Sequence, residues 1–180
     1  RMIAHLAAEC RMPLCYGGGV RTSEQAKHII GLGVEKVAMS AAAIDDPSLV
    51  TRTAEAVGRQ SVVVVLDVRK KSGFFSRGHE VCTHNGKRTH KMDVIDTALR
   101  MQSAGAGEIV VNSIDRDGQR KGYDLELASE LKKSLHIPLT FLGGAGSHKD
   151  IEALQGLCGV VGSAAGSLFV FKEPVSYTHL

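Results

Sequence analysis

PLCYGGGV, residues 13–20, and PLTFLGGAG, residues 138–146, are one pattern written twice. Each opens on Pro-Leu, rises through a short apolar run and breaks on glycines. Each is followed by a helical pattern and then by a strand pattern with a small-residue ending. Those endings are Ala38-Met39-Ser40-Ala41-Ala42-Ala43 and Gly162-Ser163-Ala164-Ala165-Gly166-Ser167. The copies start 125 positions apart (138 − 13). Alternating strands and helices leave two architectures, an open doubly wound sheet or a closed (β/α)8 barrel. A barrel typically holds about 250 residues, and the observed spacing of 125 is half of that. The repeat therefore selects a (β/α)8 TIM barrel of half-barrel-repeat type.

Strands are expected at 14–16, 36–40, 61–68, 108–113, 139–142 and 159–163, and helices at 22–32, 47–57, 93–104, 124–135 and 149–157. Val62 to Leu66 is apolar without alternation, the signature of a strand covered on both faces. Thr22 with Gln25 reads as a capping box, and Asp46, Asp124 and Ser147 as helix caps. Six strands out of eight make the chain a truncated barrel, strands three to eight, with two N-terminal units missing. Residues 1–174 form this single incomplete domain, expected to be inactive by itself. The opening RMIAHLAAEC reads as the back half of an amphipathic helix, with Ile3, Leu6 and Ala7 on one face. The ending VSYTHL, 175–180, back-translates to the end of a sequencing-library transposon adapter and is set aside as an artefact.

The 180 residues are 43% hydrophobic and 23% charged, enough for one sizeable core. A net charge of +3 is too weak to argue for nucleic acid. No apolar run approaches the roughly 18 residues of a membrane span. Four cysteines without a CxxC fit reduced thiols in a cytoplasmic protein. The basic run Arg69-Lys70-Lys71 reads as a solvated loop.

In such barrels the strand ends face the active site. Asp67 ends the most apolar strand. It reads either as a structural carboxylate paired with Arg69 or Lys70, or as a general acid/base. SIDRDG, 113–118, carries two aspartates but no histidine and no complete calcium loop, so no metal is expected. The long 68–93 connection holds a hairpin near Glu80 to His84 with a turn at Asn85-Gly86. Both glycine blocks precede helices and suit phosphate, because glycine lets backbone N–H groups approach an anion. Two such blocks across a barrel mouth suggest a ligand with a phosphate at each end.

GGGVRTSEQAKHIIGLGVEKV (17–37), VVVVLDVRK (62–70), THNGKR (83–88), GAGEIVVNSIDRDGQRKGYDLEL (105–127) and PLTFLGGAGS (138–147) together resemble the cyclase-subunit family of imidazole glycerol phosphate synthase. The resemblance implies a lyase of histidine biosynthesis with no cofactor. It implies a glutaminase partner, in a heterodimer, that supplies ammonia through the barrel. The substrate implied is a bis-phosphorylated phosphoribulosyl-formimino aminoimidazole carboxamide ribotide. Asp67 matches the family's catalytic aspartate on strand five. Gly18, Gly19, Ser40, Asn85, Asn112, Asp117, Gly118, Gly144, Ala145, Gly146, Gly166 and Ser167 match substrate or phosphate positions. Glu35 and Lys36 match an acidic–basic pair at the partner face and ammonia gate. Ser40, Asn112 and Leu142 depart from the usual Asn, Thr and Ser. These departures, with CYGGG and AAGSLFVFK, resemble a paralogous branch tied to acetamidino or amide modification of surface-polysaccharide sugars. A non-catalytic scaffold is the third reading.

Overall fold

The computed structural model describes residues 2–71, 78–84 and 86–170. In chain order the elements are α1 (Met2–Glu9), β1 (Cys15–Gly17), α2 (Ser23–Gly31), β2 (Lys36–Met39), α3 (Ala41–Asp45), α4 (Ser48–Val57), a 3-10 turn (Arg59–Ser61), β3 (Val62–Lys70), β4 (His79–Thr83), β5 (Arg88–Asp93), α5 (Val94–Ala104), β6 (Glu108–Ser113), α6 (Leu125–Ser134), β7 (Leu139–Leu142), α7 (His148–Cys158), β8 (Gly162–Ser163) and α8 (Ser167–Val170). Six strands pair in parallel in the order β1-β2-β3-β6-β7-β8, and the sheet curls into an incomplete (β/α)8 barrel.

β3 lies at the centre because its sequence suits coverage on both faces. Val62, Val64, Leu66 and Val68 are buried towards the helices with Val37, Met39, Ile109, Val111, Leu139 and Phe141. The helices present matching stripes, among them Leu49, Val50 and Thr53 of α4, Val94, Thr97, Ala98 and Met101 of α5, and Leu127, Ala128 and Leu131 of α6. These i, i+3, i+4 spacings give each helix one apolar face. Full burial of such a side chain stabilises by roughly 2 kcal/mol. The alternate residues of the strands line the barrel interior.

β3 outlasts its neighbour β2, and the ribbon β4–β5 pairs antiparallel with the extra length. This is the hairpin expected after strand five; Asn85 of its turn lies outside the described residues, as does the 175–180 ending. Several boundaries differ from expectation. The small residues Ala41 to Ala43 do not extend β2; they begin α3, after Ser40 turns the chain at φ −125°, ψ −97°. β8 shrinks to two residues because Gly159, at φ 67°, terminates α7 instead of starting a strand. In α1, Ile3 and Ala7 pack on the core, but Leu6 is exposed.

Candidate active site

Asp67 and Asn112 stand opposite each other in the β3–β6 register, both facing the interior near the C-terminal strand ends. The Asn112 amide Nδ2 donates to Asp67 Oδ1 at 2.9 Å. Asn112 Oδ1 is buried with no protein partner. Arg69 instead donates to Glu80 at 2.8 Å and also to Thr89. Among the described residues neither Arg69 nor Lys70 forms an ion pair with Asp67, so the structural reading of that carboxylate loses its partners. Asp67 shares a cavity of about 430 Å³ with Gly18, Gly19, Ser40 and His84. The Ser40 hydroxyl makes no helix-capping bond. His84 is held at φ 57°, with Nδ1 3.1 Å from Thr83 Oγ1.

The other glycine block sits elsewhere. Gly144, Ala145 and Gly146 join β7 to α7 and pack against the loop after β6. Asp150 Oδ2 accepts from Gly146 N–H (2.9 Å) and Ser147 N–H (2.8 Å). Those bonds hold the Asp150 carboxyl below its ordinary value, the Gly146 one most strongly. Asp117 and Gly118 are exposed in the same loop. It is Asp115, not Asp117, that ties the loop down, accepting from Lys70 N–H at 2.8 Å. Gly166 immediately precedes, and Ser167 starts, α8, a short extra helix after strand eight, where barrels of this type often bind phosphate. None of these lines the Asp67 cavity.

At the opposite end of the interior, Lys36 Nζ meets Glu108 Oε2 at 2.6 Å. Glu108 Oε1 accepts from Thr140 Oγ1 at 2.7 Å. Lys36 therefore pairs across strands with Glu108. Glu35, one residue before β2, is exposed. Between this polar ring and Asp67 the interior face carries Ala38, Val65 and Val110. Asn112 lies four positions beyond Glu108, about 13 Å along a strand.

Sequence reasoning missed Glu108; the available signal was a glutamate at the first, inward position of a strand. It also took Asp124 only as a cap. Asp124 does accept from Leu127 N–H (3.2 Å), but it is buried against His79 Nε2 (3.0 Å) and Arg116 Nε (3.4 Å) as well. Burial pushes its pKa up. The hydrogen bonds from His79 and Leu127, with the charges of His79 and Arg116, outweigh that and hold the carboxyl far below its ordinary range. Among the described residues no cluster of metal ligands forms, and no helix is long and apolar enough to cross a membrane.

The family model described as histidine biosynthesis protein matches residues 1–174. A Vibrio vulnificus protein provisionally named imidazole glycerol phosphate synthase subunit hisF3 is 51% identical over 171 residues, 95% of this chain and 65% of that protein. A Pseudomonas aeruginosa protein provisionally named subunit hisF2 of the same synthase is 48% identical, over 94% of this chain and 66% of its own length. The imidazole glycerol phosphate synthase subunit HisF of Dehalococcoides mccartyi is 39% identical, over 83% of this chain and 58% of its own length. The chain thus spans about two thirds of the length of the first of these relatives.

Proposed function

Because the chain belongs to the histidine biosynthesis protein family, we propose that it carries the greater part of an imidazole glycerol phosphate synthase cyclase subunit. The carrying observation is Asp67: an inward carboxylate, hydrogen-bonded by Asn112, in one cavity with the Gly18-Gly19 turn. In this reading the turn holds one phosphate of the substrate on backbone N–H groups. Asp67 moves protons as the ring closes, and Asn112 keeps it aimed. Asp117, Gly118, Gly166 and Ser167 serve the far phosphate.

A glutaminase partner docks below the barrel and delivers ammonia. The Lys36–Glu108–Thr140 ring supports a gate there, since ammonia entering the interior would have to pass it. The apolar layer above would keep the ammonia neutral, because burial disfavours the ammonium form. Asp67→Asn in the full-length protein should lower ammonia-dependent turnover by about 10²-fold or more and leave phosphate binding in place. Retained turnover rejects the acid/base role.

A second reading, ammonia-dependent modification of polysaccharide sugars, is favoured by one observation. Asn112, where the family usually has Thr, touches Asp67 itself, so the departure reaches the reacting group. Complementation of a histidine auxotroph by the full-length gene separates the two: growth supports the cyclase, failure the sugar-modifying branch.

A further inference from the structure

A second cavity, of about 310 Å³, opens on the outer side of the β3 end. Its walls come from β3 (Val68, Arg69, Lys70), β4 (His79) and the loop after β6 (Asp115, Arg116, Gln119, Lys121, Asp124). It shares no lining residue with the Asp67 cavity. Four permanent cations line it against two carboxylates, and both carboxylates are committed. Asp115 accepts from Lys70 N–H, while Asp124 is buried against His79 and Arg116. Arg69 is paired with Glu80, and Arg116 Nη1 donates to Gly122 O. The amines of Lys70 and Lys121 have no ion-pair partner among the described residues, and both are exposed at the rim. The cavity is therefore a positive concavity with a fixed floor and two available ammonium groups. Low-dielectric walls focus such a field, and ammonium groups converging on phosphate oxygens give strong charge-assisted hydrogen bonds.

We propose that this cavity binds a phosphoryl dianion, either free phosphate or the head of a small phosphate monoester. It is a site separate from the Asp67 cavity, on the far side of the loop whose Asp117 and Gly118 are proposed for the substrate's second phosphate. Arg69-Lys70, read in sequence as a solvated run, supplies half of its cations because the β6–α6 loop folds opposite it.

The test uses the full-length protein, with the His79 ring signals followed by NMR. Inorganic phosphate and glycerol phosphate are titrated separately against chloride at matched ionic strength. Both phosphates should shift His79 saturably and chloride should not. Whichever saturates at lower concentration identifies the source, monoester or free phosphate. Lys70→Ala/Lys121→Ala changes two exposed side chains, so the melting temperature should hold while phosphate affinity falls about tenfold. Gly19→Ala and Gly166→Ala, placed at the two proposed phosphate ends of the active site, should each leave the His79 response unchanged, which separates this site from the active-site proposal. A His79 signal that chloride moves equally, the absence of saturation, or a weakening in the double variant of less than about threefold would overturn the proposal.

Discussion

The two glycine turns that open this sequence look alike and are built differently. At Gly19 the backbone is left-handed, φ 74°, yet a Cβ there would meet nothing within 4 Å. Among the described residues no backbone acceptor takes the N–H of Gly18 or Gly19. At Gly144, φ 105°, a Cβ would lie 2.1 Å from the carbonyl oxygen of Gly122. There the chain is pressed against the loop after β6, and Gly122 N–H donates to Gly144 O at 2.8 Å. The first turn is glycine because its backbone is left-handed, and the space in front of it is open. The second is glycine because another piece of the protein already fills that space. A repeated motif therefore fixes the architecture without fixing the role of each copy.

The largest expected effect follows from that overlap. Gly144→Ala forces two backbones apart and should cost about 4 kcal/mol or more, among the severe class of substitutions. Thermal unfolding of the full-length protein measures it. A Gly144→Ala variant that melts like Gly19→Ala would erase the distinction between the turns.

Next comes the clamp behind the second turn. Asp124 holds the β6–α6 loop by pairing with His79 and Arg116, and Asp124→Asn removes the charge while keeping the shape. Breaking such a buried pair costs about 3 kcal/mol. The pH dependence has a definite sign. A carboxylate whose folded pKa is depressed contributes fully above its unfolded value, near 3.9. The contribution drains away as the pH falls from there towards the folded value. Wild type should therefore lose stability steeply below about pH 4, and Asp124→Asn should show a flatter acid limb. Parallel acid limbs would mean that the charge does not hold the loop.

At the first turn the expected effect moves from stability to binding. Gly19→Ala meets no atoms, so only the left-handed backbone is strained, about 1 kcal/mol. Phosphate affinity at the proposed active site should nevertheless fall by about tenfold or more, since the Cβ occupies the approach to the backbone N–H groups. A full loss of stability with unchanged phosphate binding would reverse the assignment.

How far the sequence carries can be judged from particular residues. β6 and β7 are legible to the residue, because short β-prone runs set off by Gly107, Pro138 and Gly143 have sharp ends. Asp67 stood out as a carboxylate after four valines and a leucine. What the sequence left open was its partner, since Asn112 lies 45 residues away and only the parallel register brings them together. The partners of Glu108 are hidden for the same reason: Lys36 and Thr140 are 72 and 32 residues distant. The neighbour Glu35 was the natural choice for pairing with Lys36, but adjacent residues along an extended chain point to opposite faces. Local caps are legible at Thr22 and Asp124, although the box expected at Thr22 closes on only one side, since Gln25 accepts from Arg21 N–H rather than from Thr22 N–H. What Asp124 does beyond capping depends on a ribbon strand that the spacing could not dock.

The smallest expected effect compares the caps that follow the two turns. After the first, Thr22 Oγ1 accepts from Gln25 N–H at 3.2 Å, and Gln25 Oε1 accepts from Arg21 N–H at 2.8 Å, short of the glycines. After the second, the Asp150 carboxylate reaches back to Gly146 itself. Asp150→Ala removes a charged partner from a helix N-terminus and should cost about 1 kcal/mol. Gln25→Ala removes a neutral one and should cost about half of that. Melting temperatures of the two full-length variants give the ordering. The same pair also probes function: Asp150→Ala frees the Gly146 N–H and makes the second turn more like the first. If phosphate then binds more tightly at the Gly166–Ser167 end, Asp150 is what keeps the second turn structural. If binding there is unchanged, close packing of Gly144 against Gly122 is sufficient to do so.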